Sequence, residues 1–345
     1  MIYLDSSATH PVLVAAFDEF HRALIDTPGN PNSSHKRGQA ARELLEESRE
    51  TMLTLLGAEN GDRLIFTSGA SESAAMAIKT LIDNCFTISE NRTEHHCVSQ
   101  YPFPKSIGDN QRRGIIQMLF QNENGKIYSP IEPQENTLWA CDISAGVGHV
   151  PFAFRDYPAM TYAFGSAQKF GGVPGVGFLL VKRGAPLSQL IYGAPERGGT
   201  PPVALVSAMT TALKLKMQYI DETIDEITKC RDILTSTLAK IPNMHFNCEQ
   251  KAGENQLAHI LNVSFDGVDG KTLALLLSNR DIMVSAGAAC TSNDAQPSHV
   301  IAALYGEDRA RSAIRISLCC ENTPMECGKA AKEIADCVEQ LRKLS

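Results

Sequence analysis

The sequence has little of what marks several common classes of protein. Its 345 residues contain no cluster of Lys and Arg on the scale of a nucleic-acid footprint, and the net charge is −7, so direct binding to nucleic acid is disfavoured. No stretch approaches the roughly 18 uninterrupted apolar residues that a membrane helix needs. The N-terminal residues have no basic region ahead of their apolar ones, as a signal peptide would. We therefore expect a cytoplasmic protein without direct nucleic-acid or membrane binding.

The ten cysteines also lack the pattern of a disulfide framework or a zinc site. They are scattered along the chain, and the sequence contains no CxxC pair. We expect most of them to be free thiols. Cys319, Cys320 and Cys327 lie near one another, but no matching His or CxxC pair accompanies them, so we predict no metal site.

Strand and helix patterns alternate over the first two thirds of the chain. Residues 36–57 carry apolar residues at helical spacing and end on a glycine, as helices often do. Residues 64–67 predict a strand, and a helix is expected from about Ser71. Further strand patterns lie in TLWACDISAG (137–146), MTYAFGSAQK (160–169) and GVGFLLVKR (175–183). This alternation predicts an α/β fold with a mainly parallel sheet.

The pattern changes after about residue 205. Residues 204–241 predict one long helix that connects to a second, α+β domain. Strand, helix, loop, strand and a final amphipathic helix follow, in HILNVSF (259–265), KTLALLLSNR (271–280), SAGAACTSND (285–294), SAIRISL (312–318) and the C-terminal residues. We predict a large domain over 12–225, and a small domain built from 1–11 and 226–345.

Ligands of α/β sheets bind outside the carboxyl ends of the strands, and three turns there carry suitable groups. The first turn runs from Thr67 to Ser71. Its glycine, Gly69, allows close approach of the backbone, and a helix N-terminus offers free N–H groups to a phosphate. A plain strand–helix turn with a serine cap would have the same sequence.

The other two turns hold a carboxylate and an amine. Asp142 ends an apolar strand, where a carboxylate is costly without a partner; it would suit a pyridinium nitrogen, or it could cap the following turn. Lys169 precedes a glycine-rich turn, and is either a solvated loop residue or a partly desolvated amine suited to Schiff-base chemistry. The order is distinctive: a phosphate turn, an Asp, then a Lys 27 residues later.

The chain resembles the pyridoxal-phosphate enzymes of aminotransferase class V, and most closely the cysteine desulfurases. The motifs that carry the resemblance occur in the family's order and cover nearly the whole chain. They are YLDSSATHP (3–11), GNPNSSHKRG (29–38), FTSGASES (66–73), TEHHCV (93–98), Asp142 with GVGHVP (146–151), SAQKFGGVPGVGFLLVKR (166–183), ERGGT (196–200), SAGAACTSNDAQPSHV (285–300) and SAIRISL (312–318). The resemblance implies fold type I of these enzymes, with a mainly parallel, seven-stranded type of sheet in the large domain.

The resemblance also implies a role for each matching residue. Lys169 matches the lysine that holds pyridoxal 5'-phosphate as a Schiff base and moves protons at the substrate α-carbon. His95 matches the histidine that stacks on the pyridine ring, and Asp142 matches the partner of the ring nitrogen. The remaining cofactor contacts, mainly to the phosphate, fall on Gly69, Ala70, Ser71, Ser166, Gln168 and, from the neighbouring subunit, Thr200.

Substrate handling falls on a second group of residues. Arg315 matches the arginine that grips the substrate carboxylate, and Ala8 and Thr9 are expected beside the substrate. Cys290 matches the nucleophile, on a loop of small residues. The implied reaction removes sulfur from L-cysteine, giving alanine and a persulfide on Cys290. The implied partners are a second copy of the chain and a sulfur-acceptor protein: an iron–sulfur cluster scaffold, a tRNA-thiolating enzyme or a carrier protein.

Some positions depart from the family pattern. Gln168 stands where His is usual, and Ala145 stands where a Gln would bond the cofactor's phenolic oxygen. The segment between FQNENGKI (120–127) and CDISAG (141–146) is short, and we identify no counterpart in it of a family Asn that contacts the ring. Two alternatives therefore stay open: another class V enzyme such as a selenocysteine lyase, or a degenerate homologue that serves as a binding or scaffold protein.

Overall fold

A computed structural model describes residues 1–84, 87–101, 112–132, 134–287 and 296–344. The chain divides into two compact units. The smaller unit contains residues 1–10, 120–128 and 220–345, and the larger contains residues 11–119 and 129–219. Each unit has its own hydrophobic core.

The larger unit is built on a mixed sheet that, over the described residues, has six strands. The strand order is β2-β7-β6-β5-β4-β3; β3 to β6 are parallel neighbours, and β7 runs antiparallel to both β6 and β2. The strands are β2 (Arg63–Thr67), β3 (Thr87–Glu90), β4 (Arg113–Ile116), β5 (Thr137–Asp142), β6 (Met160–Ser166) and β7 (Gly177–Val181). The predicted α/β fold with a mainly parallel sheet is confirmed.

Helices accompany this sheet. Helix α3 packs on the strands through its buried face, while α1 and α2 pack against α5. The helices are α1 (Val14–Asp26), α2 (Lys36–Leu55), α3 (Ala70–Asn84), α4 (His96–Ser99) and α5 (Val203–Gln218). As the sequence predicts, α2 ends just before a glycine: Gly57 has φ of 62°, a conformation that favours glycine.

The smaller unit is α+β. Strands β8 (Met244–Phe246), β9 (Ile260–Phe265) and β11 (Ala313–Ser317) form an antiparallel sheet in the order β11-β9-β8, and β1 (Ile2–Tyr3) pairs with β10 (Ile282–Met283). The helices are α6 (Ile220–Leu238), α7 (Gly270–Ser278), α8 (His299–Tyr305), α9 (Glu307–Arg311) and α10 (Pro324–Leu344). Helix α10 packs against α6 and α7.

One prediction about the helices is wrong. The single helix expected over residues 204–241 is two helices, because the chain leaves helical geometry at Tyr219, with φ of −116° and ψ of 29°. The next residues explain the new start: Asp221 and Glu222 lie in the first turn of α6, where acidic side chains are favoured by the helix dipole. Among the described residues, no helix combines the length and apolar character that crossing a membrane would require.

Candidate active site

The turns singled out in the sequence lie at one edge of the larger unit's sheet. Strands β5 and β6 are parallel, and their register pairs Asp142 with Phe164. Gly177, the first residue of antiparallel β7, pairs with Ser166 on one side and with Thr67 on the other. The carboxyl ends of β2, β5 and β6 therefore meet at the start of β7.

The predicted phosphate turn packs closely against this edge. A Cβ atom on Gly177 would lie 2.6 Å from the Cα of Gly69, so only glycine leaves room for the turn. A Cβ on Gly69 would in turn lie 3.7 Å from the Oγ of Ser166. Helix α3 begins at Ala70, and Ser71 is exposed in its first turn. The Ser166 hydroxyl thus lies beside the glycine that precedes a helix N-terminus, and Ser71 offers a second hydroxyl in the first turn, which suits a phosphate.

An ion pair that the sequence analysis missed ties a loop to this turn. The carboxylate of Glu72 accepts the N–H of Ser68 at 2.7 Å and the Nε–H of Arg197 at 2.6 Å. Burial acts to raise the pKa of Glu72, but the hydrogen bonds from Arg197 and Ser68 outweigh it, and the pKa is lowered. Because Arg197 precedes exposed Thr200 by three residues, the ion pair fixes the base of the loop that carries Thr200.

Lys169 follows directly from the end of a buried strand. All seven residues of β6 are buried, and a single 3-10 turn, Ala167–Lys169, comes after it. Gln168 and Lys169 are both partly exposed. The Nε2–H of His149 donates to the carbonyl of Lys169 at 2.8 Å and holds the backbone of this turn. The amine is therefore carried by a rigid element, as a site for a covalent cofactor requires.

Asp142 is a buried carboxylate at the end of its strand. It is 6% exposed, and its Oδ1 accepts the N–H of Ser144 at 2.8 Å. Its carbonyl accepts the N–H of Leu119 at 3.1 Å, which joins it to the segment after β4. A carboxylate in such surroundings is stabilised by a cationic partner. Ala145, also buried, offers only a methyl group.

His95 caps a short helix after β3. It is the N-cap of α4, and its Nδ1 accepts the N–H of Cys97 at 3.2 Å. The Sγ of Cys97 also lies 3.1 Å from this nitrogen. The backbone contact fixes Nδ1 as an acceptor, so in the neutral ring the proton is on Nε2.

Glu94, which the sequence analysis passed over, is fully buried beside His95. Its Oε1 accepts the N–H of Met118 at 2.8 Å, which ties the turn before α4 to the segment after β4. Burial raises the pKa of Glu94 to about 8 against the effect of that hydrogen bond, with further contributions from Asp142 and Glu90. Glu94 is therefore mostly protonated at neutral pH. The sequence signal that could have identified Glu94 was a charged residue within the TEHHCV motif.

The residues at this edge fit pyridoxal phosphate. They comprise a helix N-terminus with two hydroxyls, a buried carboxylate and a strand-end amine, which match a phosphate, a ring nitrogen and an aldehyde carbon. Gly177 leaves room for the backbone of the phosphate turn, since a Cβ on it would collide with Gly69.

The predicted substrate residues lie in the smaller unit. Arg315, on β11, is 4% exposed, and its Nη2 donates to the Oδ1 of Asp5 at 2.8 Å. The N–H groups of Ala8 and Thr9 approach the carbonyl of Asp5 at 3.0 and 3.5 Å. Within this unit the structure thus brings the N-terminal motif to the predicted carboxylate-binding arginine.

Asn122 is a second residue that the sequence analysis missed. Its backbone carbonyl accepts the Nη1–H of Arg315 at 3.2 Å, and its Oδ1 is buried with no hydrogen-bond partner among the described residues. It lies in FQNENGKI (120–127), just before the short segment in which no family Asn had been identified. The letters NEN (122–124) were a weak signal, because only the fold shows that residues 120–128 belong to the smaller unit.

The predicted nucleophile, Cys290, lies outside the described residues. The described chain on either side of it does meet: a Cβ on Gly287 would lie 2.8 Å from the carbonyl oxygen of Gln296. Two residues before Gly287, Ser285 exchanges both backbone hydrogen bonds with Arg315, at 2.7 and 3.1 Å. The segment that carries Cys290 therefore leaves from a residue paired with Arg315.

The described cysteines and carboxylates form no metal site. Within the ranges that the structure covers, no three His, Cys, Asp or Glu residues are arranged to hold an ion. The eight cysteines described are free thiols. Burial raises the pKa of the Cys141, Cys230 and Cys327 thiols, so these three are poor nucleophiles.

Comparison with known proteins agrees with this geometry. The family model for aminotransferase class V matches residues 2–101 and 120–328, which is most of the chain. The chain belongs to the aminotransferase class-V family.

Its relatives within class V carry a narrower name. The chain is 32% identical to the cysteine desulfurase IscS of Buchnera aphidicola (subspecies Acyrthosiphon pisum), over 100% of this chain and 94% of that relative. It is 28% identical to the cysteine desulfurase IscS of Dictyoglomus turgidum, over 100% and 96%. A solved NifS-like protein matches with a TM-score of 0.85 and 27% identity, over 98% of this chain and 99% of that one. These similarities confirm the resemblance on which the sequence analysis relies.

Proposed function

We propose that this class V protein is a pyridoxal-phosphate-dependent cysteine desulfurase, which converts L-cysteine to L-alanine and leaves a persulfide on Cys290. The observation that carries the proposal is the convergence of Ser71, Asp142, Ser166 and Lys169 at one sheet edge. The full-length similarity to proteins named cysteine desulfurase supports the choice of substrate.

The proposed cofactor contacts fall on residues of the larger unit. The amine of Lys169 would hold the aldehyde carbon, and the carboxylate of Asp142 would hold a proton on the ring nitrogen. Ser71, Ser166 and the first turn of α3 would bind the phosphate. When bound, pyridoxal phosphate supplies an electron sink for the substrate α-carbon. We assign this cofactor-binding role to the predicted domain 12–225.

The remaining chemistry belongs to side chains of the protein. The Lys169 amine takes the proton from the substrate α-carbon and returns it there when alanine forms, and the neutral ring of His95 is a hydrogen-bond donor through Nε2. Arg315 orients the substrate through its carboxylate. The Cys290 thiolate attacks the substrate sulfur, so an S–S bond forms while the C–S bond breaks. The electron pair of the broken bond, with a proton, completes the methyl group of alanine.

We also propose a homodimer. Helix α1 exposes a row of apolar side chains that solvent does not favour: Val14 at 76%, Phe17 at 55%, Leu24 at 52% and Ile25 at 61%. Such a surface suits burial against a second copy, and exposed Thr200 would then reach the phosphate of that copy. The persulfide needs an outlet, so a sulfur-acceptor protein in iron–sulfur cluster assembly or tRNA thiolation is the partner that we propose.

Turnover of L-cysteine tests the reaction. The wild-type protein with added pyridoxal phosphate and a thiol reductant should form alanine and sulfide in equal amounts. Cys290→Ala should reduce both by about a thousandfold, in the range that loss of a nucleophile causes. Cys320→Ala, at an exposed cysteine, is the matched control and should keep full activity. Equal sulfide release by Cys290→Ala and wild type would overturn the mechanism.

Cofactor binding separates an enzyme from a scaffold homologue. The wild-type protein should acquire visible absorption with pyridoxal phosphate, and borohydride should then attach the pyridoxyl group to Lys169. Lys182→Ala, which alters a lysine bonded to the carbonyl of Pro158, should behave as wild type, while Lys169→Ala should not be labelled. A wild-type protein that stays colourless would favour the scaffold.

A further inference from the structure

The position of Asp5 is set by the backbone at the N-terminus. The N–H of Leu4 donates to the carbonyl of Met283 at 2.9 Å, and the carbonyl of Leu4 accepts the N–H of Ser317 at 2.7 Å. Asp5 itself bridges to Ser317 in parallel pairing. The first residues of the chain are therefore held between β10 and β11, with Asp5 beside the strand that carries Arg315.

Three side chains form a closed set of hydrogen bonds there. The Oδ1 of Asp5 accepts from the Nη2 of Arg315 and from the Oγ of Ser285, both at 2.8 Å. The same Nη2 lies 3.2 Å from the Oγ of Ser285. The opposite nitrogen, Nη1, donates to the carbonyl of Asn122. Contacts at both ends of the planar guanidinium leave it a single orientation.

One donor of this guanidinium is left over. The Nε–H of Arg315 is buried and has no acceptor among the described residues, although the side chain is only 5% exposed. Buried polar groups in native proteins are nearly always satisfied, so an unsatisfied donor points to a ligand that completes it. A carboxylate oxygen is the acceptor that guanidinium binds most strongly.

We propose that Asp5 and Ser285 are positioning residues, which hold the Arg315 guanidinium so that its Nε–H is presented to the substrate carboxylate. This inference rests on the proposed function and deepens it. Asp5 acts through Arg315 and does not contact the substrate. Its contribution is therefore confined to substrates that carry an α-carboxylate.

Kinetics of the holoenzyme with L-cysteine test the proposal. Asp5→Ala should raise KM by about tenfold, the size of one charge-assisted contact, and change kcat less than about twofold. Asp5→Asn keeps an oxygen acceptor and should recover most of the loss. Asp266→Asn alters an exposed carboxylate of the same unit that pairs with His245, and should leave KM unchanged.

Binding of two simple amines distinguishes a loss of the carboxylate contact from a general loss of ligand binding. L-Alanine carries the carboxylate and ethylamine does not, and each is titrated into the holoenzyme by visible absorption. Asp5→Ala should lower the affinity for L-alanine by about tenfold and leave the affinity for ethylamine unchanged. Ser285→Ala removes one hydrogen bond and keeps the ion pair, so it should lower the affinity for L-alanine by about threefold. This variant provides the test if Asp5→Ala does not fold.

The possible failures are distinguishable. A wild-type holoenzyme that forms no alanine from L-cysteine contradicts the proposed function. If the wild type is active but folded Asp5 variants keep its KM and its affinity for L-alanine, the positioning role is wrong. An equal loss of affinity for L-alanine and for ethylamine would also contradict the positioning role, because the effect would then not depend on the carboxylate.

Discussion

The smaller unit buries two arginines that its structure treats differently. Arg231 is 0% exposed, and its guanidinium donates to backbone carbonyls and to one cysteine sulfur, so each of its nitrogens has a protein partner. Arg315 is 4% exposed, and it has a carboxylate partner and one nitrogen without an acceptor in the described chain. The partners of Arg231 are the carbonyls of Glu249, Gln250, Leu257, Ala258 and Ile260 and the Sγ of Cys248.

The contrast separates a structural cation from a functional one. Arg231 organises the loop between β8 and β9, and burial lowers its pKa although Cys248 and Asp232 oppose the effect. Its hydrogen-bonding capacity is used within the fold. Arg315 keeps unused capacity in a buried position, which costs stability unless a ligand satisfies it. Burial alone therefore does not distinguish the two arginines, whereas the unsatisfied Nε–H of Arg315 does.

The largest expected effect is on stability at Arg231. Arg231→Met removes a hydrogen-bond donor from five carbonyls, two of which keep the Nε2 of Gln256, and should lower the free energy of unfolding by about 5 kcal/mol. Urea denaturation measures it. Arg280→Met, which breaks a half-buried ion pair with Glu333, is the control and should cost less than about 1 kcal/mol. A loss at Arg231 as small as that of the control would show that the loop does not depend on this guanidinium.

A buried carboxyl in the larger unit extends the comparison to an acid. The pKa of Glu94 is about 8, above its unfolded value of 4.5, so the folded state holds the proton more tightly. This stabilisation is complete below pH 4.5 and is lost as the pH rises towards 8. Glu94→Gln lacks this dependence, so its stability relative to wild type should rise by about 4 kcal/mol between pH 5 and pH 8. Urea denaturation at several pH values measures the difference in the free energy of unfolding between Glu94→Gln and wild type. A difference that does not change with pH would mean that native Glu94 is ionised.

The smallest effect on stability, but a clear one on substrate binding, is expected at Arg315. Arg315→Lys keeps the charge for Asp5 but loses the planar set of donors, so KM for L-cysteine should rise by about tenfold or more. The free energy of unfolding should fall by only about 1–2 kcal/mol. Steady-state kinetics and denaturation of the same preparation check both values. A large loss of stability with unchanged KM would place Arg315 in the same class as Arg231.

Local patterns account for the part of the site that the sequence predicted. Thr67–Ser71, Asp142 and Lys169 each follow an apolar strand, and parallel strands bring their carboxyl ends to one edge. The motifs of the family added roles to these positions. The strand patterns and the family motifs are both contained in short stretches of sequence.

The unpredicted part depends on contacts between distant residues. Asp5 and Arg315 are 310 positions apart, and Glu72 and Arg197 are 125 apart. Nothing in the local sequence of Asp5 specifies a partner, since its position follows from a two-residue strand that pairs only in the folded chain. The same reason explains why Asn122, in a segment that crosses to the smaller unit, was overlooked.

The most direct test of the account is to locate the sulfur after a single turnover. The holoenzyme is mixed with one equivalent of L-cysteine in the absence of reductant, and its peptides are analysed by mass spectrometry. We expect the peptide containing Cys290 to gain the mass of one sulfur atom while one equivalent of alanine appears. Alanine without sulfur on that peptide, or sulfur on the peptide of exposed Cys320 instead, would contradict it.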